Sequence, residues 1–142
     1  MLIYLPEAIE IGDNVSIGNY VIIYNEIGGG VKIGNNTHIS EFTLISGAGK
    51  LEIGKDVAIS SGVRIYSHSN DYKEKNKLLR EQIKKEKVII GDNVLIGTNA
   101  VILPGIKIGN NSIMGAGAVV TEDVPENKIV VGVPAKIIKE IN

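Results

Sequence analysis

The chain of 142 residues contains no cysteine and no tryptophan. Without thiols it can have neither a disulfide scaffold, nor a cysteine-ligated zinc site, nor a cysteinyl acyl-enzyme. Aromatic residues are scarce, five Tyr and one Phe, so the core has to be built from aliphatic side chains. Neither charge is in excess: 15 basic against 16 acidic residues leave a net charge of −1, which argues against a general nucleic-acid binder. No apolar run approaches the ~20 residues of a membrane span, and the first ten residues lack the basic start and apolar stretch of a secretory leader. The expectation is a soluble, cytoplasmic, single domain over residues 1–142. What the chain does have in quantity is glycine, seventeen residues, together with Ile and Val.

Five segments open alike: Ile11-Gly12-Asp13-Asn14, Ile33-Gly34-Asn35-Asn36, Ile53-Gly54-Lys55-Asp56, Ile90-Gly91-Asp92-Asn93 and Ile108-Gly109-Asn110-Asn111. Inside them an aliphatic residue recurs every six positions. The series runs Ile11, Ile17, Ile23, then Ile33, Ile39, Ile45, then Ile53, Ile59, Ile65, and finally Ile90, Ile96, Ile102, Ile108, Met114, Val120. A period of six suits neither an amphipathic helix nor a long strand. It suits a short strand followed by a turn, three of them closing a triangular coil, with coils stacked so that their strands pair in parallel. A β-sandwich would show irregular spacing, with turns every 8–12 residues or so. The pattern therefore predicts an all-β, parallel β-helix of about five coils over residues 11–125, with a short extension, 126–142, expected to be helical.

The breaks in register carry information too. Spacing exceeds six only between the third repeat of one coil and the first of the next. Four extra residues lie between Ile23 and Ile33, two between Ile45 and Ile53, and nineteen between Ile65 and Ile90. All three insertions should leave the solenoid at one edge, and in solenoids such an edge is often the binding face. The long loop, residues 67–87, holds Lys73, Lys75, Lys77, Arg80, Lys84, Lys85 and Lys87, seven of the fifteen basic residues. Leu78, Leu79 and Ile83 recur at near-helical spacing and predict a turn or two of helix. Most of these lysines read as a solvated loop; the functional alternative is attraction of an anionic substrate. Residues preceding the core Ile positions should point outward. One such column reads Ile22, Leu44, Arg64, Val101, Val119 and another Ser16, His38, Ala58, Leu95, Ile113. Aligned apolar stripes of this kind predict a contact between subunits.

Over nearly its whole length, and most specifically from Ile53 onward, the chain resembles the hexapeptide-repeat acyltransferases, above all their sugar O-acetyltransferases. The resemblance rests on Ile65-Tyr66-Ser67-His68, Leu103-Pro104-Gly105, Gly115-Ala116-Gly117-Ala118-Val119-Val120-Thr121 and Val131-Gly132-Val133-Pro134-Ala135-Lys136-Ile137-Ile138. It implies a left-handed helix, against the usual right-handed parallel crossover. It also implies homotrimers with active sites between neighbouring subunits, and acetyl-CoA as co-substrate with a sugar or nucleotide sugar as acceptor. No metal is expected.

His68 sits at a coil corner and opens the long loop. Histidine titrates where it can take the proton of an attacking hydroxyl, and the matching His of sugar O-acetyltransferases has that role. His38 reads as a surface or interface residue. By the same resemblance Thr98, Ala116 and Thr121 line the pantetheine arm. Lys136 and Lys139 meet the CoA phosphates, as point charges rather than the bidentate fork of an arginine. Glu122 stands where relatives often carry a Lys. Glu41 stands near the position where many sugar acetyltransferases carry an Asn that helps bind the acceptor, and its carboxylate could accept a sugar hydroxyl, hold an amine or orient His68. Other readings remain open at this stage. A γ-class carbonic anhydrase needs three zinc-binding His, and this chain has two histidines. A non-catalytic scaffold would explain the repeat but not the placement of His68. An N-acetyltransferase of an amino nucleotide sugar would depend less on His68, because a free amine attacks without a strong base.

Overall fold

In the computed structural model, which describes residues 1–142, the chain winds into a parallel β-helix of about six turns with three flat faces. Face I stacks Ile9–Ile11, Val31–Ile33, Leu51–Ile53, Val88–Ile90 and Lys107–Ile108. Face II stacks Ser16–Ile17, His38–Ile39, Ala58–Ile59, Leu95–Ile96, Ile113–Met114 and Lys128–Val131. Face III stacks Leu2–Ile3, Ile22–Tyr24, Leu44–Ser46, Arg64–Ile65, Val101–Ile102 and Val119–Val120. The chain runs I, II, III within each coil, so three corners separate the faces.

The register is the one the six-residue period demands. Ile23, Ile45, Ile65, Ile102 and Val120 pair in succession down face III, and Ile39, Ile59, Ile96 and Met114 down face II. Each is at most 1% exposed, and they belong to one continuous core of 26 buried residues. β-Branched side chains suit this pleated, closely stacked interior. Ile11 is the exception at 43% exposed, since no strand lies beneath it on face I.

The corners explain the polar part of the repeat. At corner I–II, Asn14, Asn36, Asp56, Asn93 and Asn111 all have positive φ, which Asn and Asp tolerate better than most residues. Their side chains also form a ladder: Asn14 Nδ2 donates to Asn36 Oδ1 (3.0 Å), Asn36 Nδ2 to Asp56 Oδ1 (3.2 Å) and Asn93 Nδ2 to Asn111 Oδ1 (2.8 Å). Corner II–III uses Gly62, Asn99 and Gly117 at the equivalent position, but Tyr20 and Phe42 in the first two coils, with φ of 58° and 61°. Bulky residues held there cost about 1–3 kcal/mol each.

All three insertions emerge at corner III–I, as the spacing predicts. Two expectations about their neighbours need correction. The 67–87 loop is a hairpin of His68–Asn70 against Ile83–Lys85, with a single 3-10 turn at Leu79–Glu81 instead of α-helix. Gln82 staples it, its Nε2 donating to the carbonyls of Glu74 (3.0 Å) and Lys77 (3.2 Å) while its Oε1 accepts from the Glu74 amide (3.0 Å). The C-terminal extension is also a hairpin, Lys128–Val131 against Lys136–Glu140, rather than a helix. The last coil offers an open sheet edge, and Ile129, Val130, Ile137 and Ile138 are better suited to pairing with it than to a helix broken by Gly132 and Pro134.

Candidate active site

His68 begins the long hairpin at corner III–I and is half-buried. Its Nδ1 lies 2.8 Å from Oγ of Ser46, one coil below and itself 1% exposed. The buried Ser67 hydroxyl donates to the Ser46 carbonyl (2.6 Å) and accepts from the Gly49 amide (2.9 Å), tying the second and third insertions together. Tyr66 meets the imidazole edge-on, ring centroids 6.3 Å apart. One ring nitrogen of His68 is thus anchored.

A second group at this corner was not among the residues picked from the sequence. Tyr24 pairs with Ser46 across face III, and its hydroxyl donates to Glu26 Oε1 (2.8 Å). Lys85, opposite His68 in the hairpin, reaches Glu26 Oε2 at 3.0 Å. The Lys85 ammonium, then the Tyr24 hydroxyl, hold the Glu26 carboxyl below its ordinary value of 4.5, with a smaller contribution from His68. The same hydrogen bond raises Tyr24 and keeps its phenol protonated. Glu26 therefore clips the long hairpin to the first insertion. Because its pKa is lowered in the folded state, the clip is at full strength above the ordinary carboxylate range and is lost as pH falls through the lowered value. Both partners are more than a third exposed, so the pair contributes no more than about 1 kcal/mol. Glu26→Gln is expected to leave the unfolding midpoint within a few degrees of wild type while speeding amide exchange at Ser69, Asn70 and Lys84. Hydrogen-exchange mass spectrometry at pH 7 would show it, and unchanged protection would dismiss the clip.

Glu41 is at the other end of face III. The strand Leu44–Ser46 runs from the Glu41 side at corner II–III to the Ser46 side at corner III–I, so about 15 Å of extended chain separates Glu41 from His68. Glu41 Oε2 accepts from Ser61 Oγ at 3.3 Å. Backbone hydrogen bonds connect this corner coil by coil, Phe42 to Asn19, Gly62 to Glu41, Asn99 to Ser61 and Gly117 to Thr98. Glu41, Thr98 and Ala116 thus lie on one line, with Thr98 and Ala116 exposed. Thr121 is exposed just past the last face III strand. Lys136 and Lys139 lie on the exposed outer strand of the C-terminal hairpin, Lys136 with its Nζ 3.6 Å from Glu122 Oε1. A cleft of about 220 Å³ joins Glu122 and Lys136 to Val120, Ala135 and Ile137. The largest concavity, about 530 Å³, lies over face I and includes none of these residues. His38 is exposed on face II, where its Nδ1 contacts the Ser16 hydroxyl.

The geometry can be set beside known proteins. The bacterial transferase hexapeptide (six repeats) family matches residues 87–122. The dTDP-4-amino-4,6-dideoxy-D-glucose acyltransferase of Escherichia coli is 36% identical over 140 residues, covering 90% of this chain and 72% of its own. The chain belongs to the hexapeptide-repeat acyltransferases. The galactoside O-acetyltransferase of Escherichia coli K12, another hexapeptide relative in this comparison, is 53% identical over 55 residues, 39% of this chain and 27% of that protein. The chain thus spans between about a quarter and three quarters of the length of these curated relatives. Among solved structures, an N-acyltransferase from Bacillus cereus in complex with dTDP and coenzyme A superposes with a TM-score of 0.89 at 32% identity, over 99% of this chain and 77% of that one. The structural neighbours of this hexapeptide protein are left-handed β-helices, which gives the hand of the coil. No helix is long and apolar enough to cross a membrane, and no cluster of His, Asp and Glu could hold a metal ion.

Proposed function

We propose that this hexapeptide-repeat protein moves an acetyl group from acetyl-CoA directly to a hydroxyl of a sugar or glycan precursor, with His68 as general base. The observation that carries the reading is the anchored imidazole. His68 Nδ1 lies 2.8 Å from Ser46 Oγ at the corner where all three insertions gather; in this reading Nδ1 carries the proton and donates to that hydroxyl, which makes Nε2 the base. Nε2 takes the proton as the acceptor oxygen attacks the thioester carbonyl, and returns it to the departing thiolate. Exposed Thr98, Ala116 and Thr121 line the pantetheine, and Lys136 and Lys139 meet the phosphates.

Within one chain these donor-side residues and His68 sit on different corners, so the site is completed between copies. A closed trimer that sets corner II–III of one copy against corner III–I of the next brings Thr98, Ala116 and Glu41 to the neighbour's His68. The outward columns fit this arrangement. Faces II and III carry Leu95, Ile113, Leu44, Val101 and Val119, whereas the outward column of face I reads Glu10, Lys32, Glu52, Ile89 and Lys107, charged at all but Ile89 and suited to water. Transfer to an amino sugar nucleotide is the second reading, favoured by the E. coli dTDP-amino-sugar relative and the Bacillus cereus N-acyltransferase.

Thiol release from acetyl-CoA, followed by mass spectrometry of products from glycosides and amino nucleotide sugars, decides between O- and N-transfer. No release with any acceptor would refute both. In the same assay Lys136→Ala and Lys139→Ala are each expected to raise the KM for acetyl-CoA by roughly 10- to 150-fold, the effect of about 1.5–3 kcal/mol for a charge-assisted contact. A truncated pantetheine thioester, which lacks the nucleotide phosphates, should be unaffected. Equal effects on both donors would place the lysines elsewhere.

A further inference from the structure

Tyr20 and Phe42 present the most unusual surface of the molecule. They stack with ring centroids 5.3 Å apart and planes within 7° of parallel, yet they are 71% and 59% exposed. Both occupy the positive-φ position of corner II–III that later coils give to Gly62, Asn99 and Gly117. Neither burial nor backbone preference accounts for two large rings there. The polar groups around them are of one kind. Asn19, Glu41 and Ser61 stand one position before Tyr20, Phe42 and Gly62, and Glu41 and Ser61 are hydrogen-bonded to each other at 3.3 Å. Arg64, the cation of this corner, spends its Nη1 on the carbonyls of Phe42 (2.7 Å) and Gly62 (2.8 Å). An aromatic face bordered by a carboxylate, an amide and a hydroxyl matches the apolar face and hydroxyl rim of a sugar ring.

We infer that the Tyr20–Phe42 pair is a stacking platform for a carbohydrate ring, placed on the same corner line as Thr98 and Ala116 but toward the N-terminal coils. The inference rests on the sugar-acceptor reading above and deepens it. A donor lying along the C-terminal coils would leave its thioester near Ser61, and the platform would hold the ring that carries the reacting hydroxyl or the sugar next to it. Glu41 accepts one of that ring's hydroxyls, and the exposed aromatic area supplies affinity rather than chemistry.

The test is the double variant Tyr20→Asn/Phe42→Asn, because Asn already serves this corner at Asn99 and should fold at least as well. Thermal unfolding of the full-length chain should show a midpoint equal to or above wild type. With maltose and methyl β-galactopyranoside as probes, saturation-transfer NMR should show contact to the ring protons in wild type and loss of that contact in the variant. In turnover, the KM for the sugar should rise roughly tenfold or more, with a smaller change in kcat and none in the KM for acetyl-CoA. An unchanged sugar KM and signal, or no sugar signal in wild type, overturns the platform. So does a smaller assembly in sedimentation, which would make the pair a contact between copies, or an equal loss of binding by dTDP alone, which would make it a nucleobase site. Sugar binding that is lost in the variant, in a protein that transfers no acetyl group, would keep the platform and refute the transferase reading.

Discussion

His68→Ala is expected to lower kcat by roughly 10²–10⁴ with a hydroxyl acceptor, the usual contribution of a positioned general base. The assembly and the unfolding midpoint should hardly change. His68 lies outside the aliphatic stack, and its one side-chain hydrogen bond is to Ser46. Ser46→Ala gives a milder version of the same result, since it frees the ring without removing it. Retained activity on an amino sugar with loss on a hydroxyl would favour N-transfer. Retained activity on a hydroxyl would mean another base, and Glu26, on the same corner, would be tested before Glu41.

The second large effect concerns assembly. Leu95→Glu on face II or Val101→Glu on face III should convert most of the protein at micromolar concentration to smaller species in analytical ultracentrifugation, with activity lost in step. A charge buried between copies without a partner costs several kcal/mol. Each chain should still fold, because both side chains point away from the core; Leu95 is 42% exposed in the single chain. Ile89→Glu is the control. It lies outward on face I between Glu52 and Lys107, and the assembly should accept it. A wild-type-sized, active particle from either of the first two variants would remove the interface.

The coil was legible because one side-chain type recurs at one spacing, and Ile23, Ile45 and Ile65 stack wherever the intervening turns have equal length. The C-terminal hairpin was not. Whether Lys136–Glu140 is strand or helix depends on an open sheet edge left by the last coil, which local sequence does not contain. The long loop misled for a related reason. Leu78, Leu79 and Ile83 have helical spacing, but Gln82 satisfies the Glu74 and Lys77 carbonyls and fixes an irregular loop instead. Glu26 and Ser46 were within reach of sequence reasoning. All three insertions had been assigned to one edge, so the polar residues of the two short ones belonged beside His68 from the start. Glu41 rests on resemblance alone, and within one chain it lies across face III from His68, too far to orient the imidazole directly.

The gathering of the insertions at corner III–I has a consequence for how this scaffold can change. Corners I–II and II–III have a fixed residue count, and one extra residue there would shift every following side chain out of register. Corner III–I carries no such constraint. It already accepts insertions of four, two and nineteen residues without disturbing the pairing on either side. Doubling a loop there costs only about 0.6 kcal/mol in closure entropy. Residues 25–30, 46–50 and 67–87 are therefore exchangeable parts on a fixed chassis. Loops of other lengths grafted at that one edge should leave the face pairing, and the Tyr20–Phe42 corner opposite, undisturbed.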